Sequence, residues 1–455
     1  MSLSIIILAA GRGKRMNSAK PKGMHTLGGK PLLSHIITTA TQLKPDAIYV
    51  VIGHGSDQIR EYFKDASIQW VEQTEQLGTG HAVQQVLPLL NPKHQVLILY
   101  GDAPLLSPQS LEKMNKTQAD LTLLIAAVKN PHGLGRIVRN EKGDICKIVE
   151  EKDATLAEKN IHEIYSGIMS TSVLILNQWL PQLKTNNQQQ EYYLPDVINL
   201  ALNAKQSVSC LSVSEDEIIG INDKAQLARA ERIYQLRLAE HLMQQGLQLM
   251  DPARFDLRGN LSFENDVCID TNVILEGDVT LGAGVSIGPN CYLRNVTVSK
   301  NVYIKANSVI EDAIIEDNCI VGPFARIRPG TLLKSYAHVG NFVEIKQSTL
   351  GMGSKVNHLS YIGDSLIGAK VNIGAGTITC NYDGITKHQT IIEDGAFIGS
   401  NTSLVAPITI GANATIGAGS TLTQHAPADT LTLGRSKQVS VKNWKKRPLP
   451  KDKES

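Results

Sequence analysis

The second half of the chain places aliphatic residues at every sixth position, and few folds accommodate that spacing. Val267, Val273, Val279 and Val285 form one series, and Ile269, Leu275, Leu281, Ile287 and Leu293 form a second, two residues out of phase. Because a strand alternates sides at every second residue, both members of each pair face the same way. A turn follows, with glycine at Gly282 and Gly288. The rhythm slips near Asn295 and again between Pro329 and Lys346, then returns at Ile367-Gly368, Ile373-Gly374, Ile398-Gly399, Ile410-Gly411 and Ile416-Gly417. Short flats at fixed spacing, each burying one stripe, stack into a three-sided parallel β-helix. About 160 residues, at six per side and three sides per coil, predict roughly nine coils. A β-sandwich has no reason to repeat every six residues.

The first half has a different pattern. Ile5 to Leu8, Ala47 to Ile52, Gln95 to Tyr100 and Leu121 to Val128 read as strands, with Pro31 to Gln42 and Ala82 to Leu90 as helices between them. Strands alternating with helices predict a mostly parallel sheet covered on both faces, an α/β Rossmann-like domain. From Asp223 to Gly246 apolar residues recur at helical spacing (Leu227, Ile233, Leu236, Leu238, Leu242), which predicts one long connecting helix ended by Asp251 and Pro252. The expected division is 1–224 for the α/β domain, 225–245 for the helical linker and 246–455 for the solenoid.

Composition narrows the function classes. With 45 basic and 43 acidic residues the net charge is only +2, and no basic stripe of the kind a nucleic-acid binder carries is visible. The six cysteines contain no C-x-x-C pair, so neither a zinc site nor a disulfide framework is expected. The apolar run Ile5 to Ala10 is too short for a signal peptide or a membrane span, which points to a cytosolic protein with no membrane insertion.

Leu8-Ala9-Ala10-Gly11-Arg12-Gly13-Lys14-Arg15-Met16 follows the first strand directly. Glycines there let backbone amides approach phosphate oxygens, and Lys14 and Arg15 supply countercharge. A plain β-to-α turn has the same spacing, so the argument rests on its company. That company is Pro21-Lys22, then Gln73 with Glu75-Gln76-Leu77-Gly78-Thr79-Gly80, then Tyr100-Gly101-Asp102, all at strand ends where open α/β sheets bind ligands. Arg15 and Lys22 would neutralise a triphosphate and a second phosphate approaching it. Asp102 would hold a hard divalent cation that needs few protein ligands, as Mg2+ does; an aspartate ending a strand is otherwise a turn or cap residue.

These segments resemble the sugar-phosphate nucleotidyltransferases. Together with the motifs of the second half, the chain is similar over essentially its whole length to the bifunctional UDP-N-acetylglucosamine pyrophosphorylase/glucosamine-1-phosphate N-acetyltransferase family. The resemblance implies that Leu8, Ala9, Ala10, Gly11, Gln73, Gly78 and Thr79 contact the uridine nucleotide, that Gly135 and Glu150 contact the sugar, and that Asn222 joins Asp102 on Mg2+. The implied reaction is in-line attack of a sugar 1-phosphate oxygen on the α-phosphorus of UTP, with release of pyrophosphate. Two residues depart from the family pattern. Tyr165 stands where an asparagine is expected and cannot reproduce an amide's donor and acceptor pair, and Pro195 stands where a threonine is expected.

Within the solenoid, the stretches that break the repeat are rich in functional groups: Arg328-Pro329-Gly330, Gly340 to Lys346, His358 to Tyr361, and Gly376 to Gly384 with its Asn381-Tyr382-Asp383-Gly384. Such interruptions leave the coil as loops, where ligands are gripped. Acetyl transfer to an amine needs a base of near-neutral pKa, and of twelve histidines His358 is the one embedded in these stretches. The resemblance assigns His358 as general base, Arg328, Lys346, Tyr361 and Asn372 to the sugar phosphate and hydroxyls, and Asn381, Tyr382, Ala375, Ser400, Ala418 and Arg435 to acetyl-CoA. It further implies a homotrimer with clefts between parallel solenoids, in which the basic tail Lys442 to Arg447 closes over a neighbour's site; a solvated end is the alternative for that tail. The activities together would make UDP-N-acetylglucosamine for peptidoglycan and lipopolysaccharide precursors. A solenoid serving only assembly or regulation would leave a single nucleotidyltransferase activity, but it would also show plain repeats without these loops.

Overall fold

A computed structural model describes residues 2–64 and 66–446. The chain divides into two compact units: one runs to His241 and includes Leu257–Gly259, and the other takes Leu242–Asp256 and Asn260 onward.

The first unit is built on nine strands: β1 (Leu3–Leu8), β2 (Ala47–Ile52), β3 (Gln69–Glu72), β4 (Gln95–Tyr100), β5 (Leu121–Ala127), β6 (Gly135–Arg139), β7 (Ile145–Val149), β8 (Glu163–Ser172) and β9 (Val208–Ser212). Their order in the sheet is β9-β5-β8-β4-β1-β2-β3, with β6 beside β8 and β7 beside β6. Strand β1 is parallel to both β2 and β4, as β2 is to β3 and β9 to β5. The expected mostly parallel sheet needs correction on one side, because β8 runs antiparallel to β4 and β5 and the β6–β7 pair is an antiparallel hairpin. A parallel return needs a crossover of a dozen or more residues, usually a helix. Between β5 and β8 the chain instead makes the hairpin and the four-residue helix Leu156–Lys159.

Both faces of the sheet are covered, which is why its central strands are apolar on both sides. Ile5 and Ile7 of β1 pack with Leu33, Ile36 and Ala40 of α1 (Leu32–Gln42). Ile6 and Leu8 pack on the opposite face with Ala82, Val83 and Val86 of α2 (Thr79–Val86). The second helix is shorter than the predicted Ala82 to Leu90 at its end and longer at its start, because Leu87–Leu89 tightens into a 3-10 turn around Pro88.

The long helix α3 (Lys224–Gln244) is more than a connector. Ala230, Leu227, Ile233 and Tyr234 pack against Leu27, Leu32, Leu105 and Ile221 of the first unit. It also ends earlier than Asp251-Pro252. Gly246 adopts φ 104°, its N–H reaches the Met243 carbonyl (3.0 Å) and the Leu247 N–H reaches Leu242 (3.1 Å). This is the paired bonding of a left-handed glycine cap, which satisfies the last carbonyls and stops the helix.

The second unit is a parallel β-helix. One face is an eleven-stranded parallel sheet, so the stack exceeds the nine coils expected. The extra rungs come from Gln248–Leu249 at the start and Leu431–Thr432 at the end, outside the regular sixfold pattern. Ile269, Ile287, Ile304, Val321, Val339, Val356, Ile373, Ile398 and Ile416 lie one above another in its ladder, all buried. Each such side chain contributes on the order of 1.5–3 kcal/mol of burial. A fifteen-stranded sheet supplies the remaining faces.

Corners need left-handed backbone, which Asn and Asp tolerate better than other non-glycine residues. One corner column carries Asn272, Asn290 and Asn307, but its continuation is Phe324, Phe342 and Leu359, with φ of 54°, 56° and 47°. Bulky residues in that region cost free energy and tend to mark functional segments. These three are exposed, and the Phe324 and Phe342 rings stack at 5.3 Å.

Candidate functional site

The first unit holds a cavity of about 580 Å³ at the carboxyl ends of β1 and β4. Leu8, Ala9, Ala10, Gly11, Lys22, Gln73, Gly78, Thr79, Tyr100, Gly101 and Asp102 all line it. Gly78, at φ 109°, opens α2. A Cβ there would lie 2.6 Å from the Tyr192 carbonyl oxygen, so only glycine fits this close approach. Gln73 is buried; its amide donates to the Gly78 carbonyl (3.1 Å) and contacts His81 Nδ1 (3.0 Å), which fixes the loop entering the helix. Burial pushes the Tyr100 phenol well above its ordinary pKa, and the nearby Glu150 carboxylate adds to the shift.

Lys22 joins the distant pieces. Its ammonium donates to Asp102 Oδ2 and to Asn222 Oδ1 (2.8 Å for the second). The Ile221 N–H bonds to the Asp102 carbonyl (2.9 Å), which ties the Asn222 loop to the end of β4. Two side-chain oxygens from opposite ends of the unit thus converge on one cationic centre.

Not every expected residue reaches the cavity. Arg15 is exposed on the 3-10 turn Lys14–Met16 and is not part of the wall, whereas Arg12 and Lys14 are. Gln76 and Glu191 also line it. Gln76 holds the loop closed, its amide donating to Ala10 O (3.0 Å) and its carbonyl accepting from Arg12 Nε (3.1 Å). Glu191 had no local signal, since its place depends on Tyr192 bonding to Leu77 and Gly80. Gly135 and Glu150 lie outside the cavity wall, beside each other: a Cβ on Gly135 would sit 3.4 Å from Glu150 Oε1. Burial raises the Glu150 carboxyl pKa, with Asp153 and Asp196 adding to the effect and Arg136 opposing it. Tyr165 is buried, and its hydroxyl donates to its own strand at Gly167 O (2.7 Å). Pro195 occupies the first turn of the helix Pro195–Asn203, where its missing N–H costs nothing.

In the second unit one corner gathers much of the expected acetyl-CoA site. Asn341, His358, Ala375, Ser400 and Ala418 each precede the left-handed corner residue of their coil. Their carbonyls accept from Leu359 (3.1 Å), Gly376 (3.3 Å), Asn401 (2.8 Å) and Gly419 (2.8 Å) in turn, and the Ala418 carbonyl accepts from Arg435 Nη1 (2.8 Å). His358 is thus stacked below three small residues, with a guanidinium hooked over the last. Its Nδ1 lies 3.1 Å from Asn341 Oδ1.

Beyond that corner, Tyr361 stands in a column with Glu344 and Ile378. Arg328 Nη1 donates to Glu344 (2.7 Å), a bond that holds the guanidinium's pKa above its usual value. The Lys346 ammonium is held below its ordinary pKa, first by its contact with Lys387, a cation the sequence reading missed. Asn372 belongs to the other face, between Lys355 and Phe397. The Asn381 amide donates to Asp364 Oδ2. The Tyr382 hydroxyl donates to Gly384 O (2.6 Å). Asp383 closes that loop, accepting from the Ile385 and Thr386 N–H groups (2.8 and 2.7 Å) and bonding His388 Nε2 (2.7 Å). These contacts hold the Asp383 carboxyl far below the usual range, the Thr386 N–H bond most of all. In the tail, Lys442 to Lys446 are exposed; Arg447 lies outside the described residues.

Residues 5–184 match the family model of the MobA-like NTP transferase domain, 257–341 that of the GMPPB C-terminal domain, and 389–424 that of the bacterial transferase hexapeptide, six repeats. Proteins named Bifunctional protein GlmU match at full length. The one from Marinobacter nauticus is 50% identical over 98% of each chain, that from Legionella pneumophila strain Corby 52% over 100% of each, and that from Ruthia magnifica 51% over 99% of this chain and 100% of its own. The chain belongs to the bifunctional GlmU family. Its two units correspond to the two halves of a GlmU-type transferase, a nucleotidyltransferase domain and a left-handed β-helix of hexapeptide repeats.

Proposed function

We propose that the chain carries out the two activities of its family through the residues above, acetylating glucosamine 1-phosphate in the β-helix and transferring UMP from UTP to the N-acetylated product in the α/β unit. The observation that carries this reading is the stacking of His358, Ala375, Ser400 and Ala418 at a single corner, capped by Arg435. A base at the end of a narrow groove of small residues suits a long, thin thioester.

In the first reaction His358 takes a proton from the substrate ammonium. The free amine attacks the thioester carbonyl, an N–C bond forms, the C–S bond breaks, the nitrogen gives up its second proton, and the departing coenzyme A thiolate takes one up. Arg328 and Lys346, with Lys387 beside them, supply positive charge for the sugar phosphate; two ammonium groups in contact are unfavourable until an anion joins them.

In the second reaction, backbone amides of the Leu8 to Gly13 turn and the cations Arg12, Lys14 and Lys22 hold the phosphates of UTP. In-line attack of the sugar phosphate oxygen then forms one P–O bond and releases pyrophosphate. Positioning and neutralisation do most of the work. Asp102 and Asn222 would hold Mg2+. Their oxygens already share one ammonium, and among the described residues no group of three or more His, Cys, Asp or Glu could hold a metal. A two-ligand oxygen site fits a cation that keeps water and phosphate oxygens around it. When bound, Mg2+ supplies charge neutralisation between phosphates.

A homotrimer is part of this reading, because Asn372 lies on one face and Arg328, Lys346 and Tyr361 on another, so clefts between copies would bring the two sets together. No helix among the described residues is long and apolar enough to cross a membrane, and dependence on UTP and acetyl-CoA suits a cytoplasmic enzyme. The test supplies two variants with glucosamine 1-phosphate and acetyl-CoA, and separately with N-acetylglucosamine 1-phosphate, UTP and Mg2+. His358→Ala should lose coenzyme A release but still convert N-acetylglucosamine 1-phosphate, and Asp102→Ala should do the reverse. Loss of both activities in either variant counts against separate sites.

A further inference from the structure

The corner that carries His358 also carries a side chain no family motif assigned. Asn341 occupies the same corner position one coil earlier, in register with His358 across parallel strands. Each is followed by a left-handed residue, Phe342 or Leu359, so the same backbone turn presents both side chains at one edge. The contact joins His358 Nδ1 to Asn341 Oδ1 at 3.1 Å. An amide oxygen can only accept, and a neutral imidazole has one N–H and one bare nitrogen. With the Asn341 amide in this orientation, a neutral imidazole that hydrogen-bonds it carries its proton on Nδ1 and keeps the lone pair that can take a proton on Nε2.

We infer that Asn341 is the positioning residue of the acetyltransferase site, selecting the His358 tautomer whose Nε2 is the base. The inference rests on the reading of His358 as general base. The partner's neutrality matters. A carboxylate at this place would stabilise the imidazolium and raise the histidine pKa, whereas an amide fixes the tautomer without that charge. The other charged or titratable neighbours, His338 and Lys355, lie on the same face of the solenoid, and His338 is near enough to His358 to feel its charge. No carboxylate is hydrogen-bonded to His358 among the described residues, so the amide alone performs the orienting role that a carboxylate has in many catalytic pairs.

The test uses the full-length protein. Asn341→Ala should lower kcat for acetyl transfer by about tenfold or more, within the ~10²–10⁴ that a general base is worth, while both KM values and uridylyl transfer hold. Asn341→Asp, nearly isosteric and so the safer variant for folding, should move the acid limb of the kcat/KM profile upward by about one unit or more. In a His358→Ala background Asn341→Ala should cost nothing further. Long-range ¹⁵N NMR of labelled histidine, assigned by comparison with His358→Ala, should show Nδ1–H at His358 in the parent protein and tautomer mixing in Asn341→Ala. An Nε2–H tautomer in the parent, an unchanged kcat in Asn341→Ala, or an additive loss in the double variant would each overturn the inference. Acetyl transfer surviving in His358→Ala alone would instead sink the assignment of the base, and the NMR result would still report the contact.

Discussion

Glu150 shows how burial reshapes a single carboxyl group. Its pKa is raised chiefly by loss of water, and Asp153 and Asp196 add repulsion. A carboxyl group whose folded pKa lies above its unfolded one destabilises the folded state once ionised, above the folded value. That penalty is absent below the ordinary carboxylate pKa of about 4.3, where both states hold the proton. Glu150→Gln should accordingly raise the Tm of the α/β unit, followed through Trp70 and Trp179 fluorescence, at pH 8. The difference from the parent should shrink as pH falls towards 4. A Tm gain that is independent of pH would mean that packing, not charge, is responsible. Tyr165 belongs to the same scale, since its hydroxyl spends its one proton on Gly167 O within its own strand.

Among the elements, the Asn381 to His388 loop depends on one side chain. Asp383 accepts from two backbone N–H groups and the Thr386 hydroxyl and bonds His388. Its depressed pKa means that this support is present above the unfolded value near 3.8 and is lost as pH falls through the folded one. At neutral pH Asp383→Ala should raise the KM for acetyl-CoA by roughly tenfold, as Asn381 and Tyr382 lose their fixed places. Proteolysis within the loop should also quicken, and uridylyl transfer should be unaffected. Unchanged cleavage would show that the loop holds itself. The strands Ala47–Ile52 and Gln95–Tyr100 were legible as short β-branched apolar runs, the mark of strands buried on both faces, and the sixfold columns were legible because side-chain period alone sets them. The antiparallel β8 was not legible, because strand direction depends on what the connection spans rather than on the strand. Gln76 lay inside the Glu75 to Gly80 segment, but nothing local distinguished it from its neighbours as a cavity residue. Glu191 and Lys387 were not legible, because each meets its site through tertiary register; Asn341 lay in the Gly340 to Lys346 stretch, but its pairing with His358 is set by the register between coils. The helix end at Gly246 was legible in principle, a glycine after the last apolar residue, but Asp251-Pro252 was the more conspicuous signal.

For the whole molecule, the decisive surface is a column on the solenoid that points outward yet is mostly aliphatic. Ile314, Leu332, Thr349, Leu366, Ile391 and Thr409 follow one another in register, and Ile314 and Leu366 are 51% and 47% exposed in a single chain. An isolated β-helix gains nothing from apolar side chains on an outer face, whereas copies packed about a common axis bury them. The division of Asn372 from Arg328, Lys346 and Tyr361 between faces points the same way under the proposed assignment, which needs both sets in one site. Leu366→Glu places a carboxylate in the middle of the column, where burial against symmetry-related copies would leave it unpaired. Light scattering should then show trimers giving way to monomers. Acetyl transfer should fall in step with dissociation, while uridylyl transfer persists because its cavity lies within one unit. A monomeric variant that still acetylates would place the complete acetyltransferase site on one chain, and a variant that stays trimeric would assign the aliphatic column some other role.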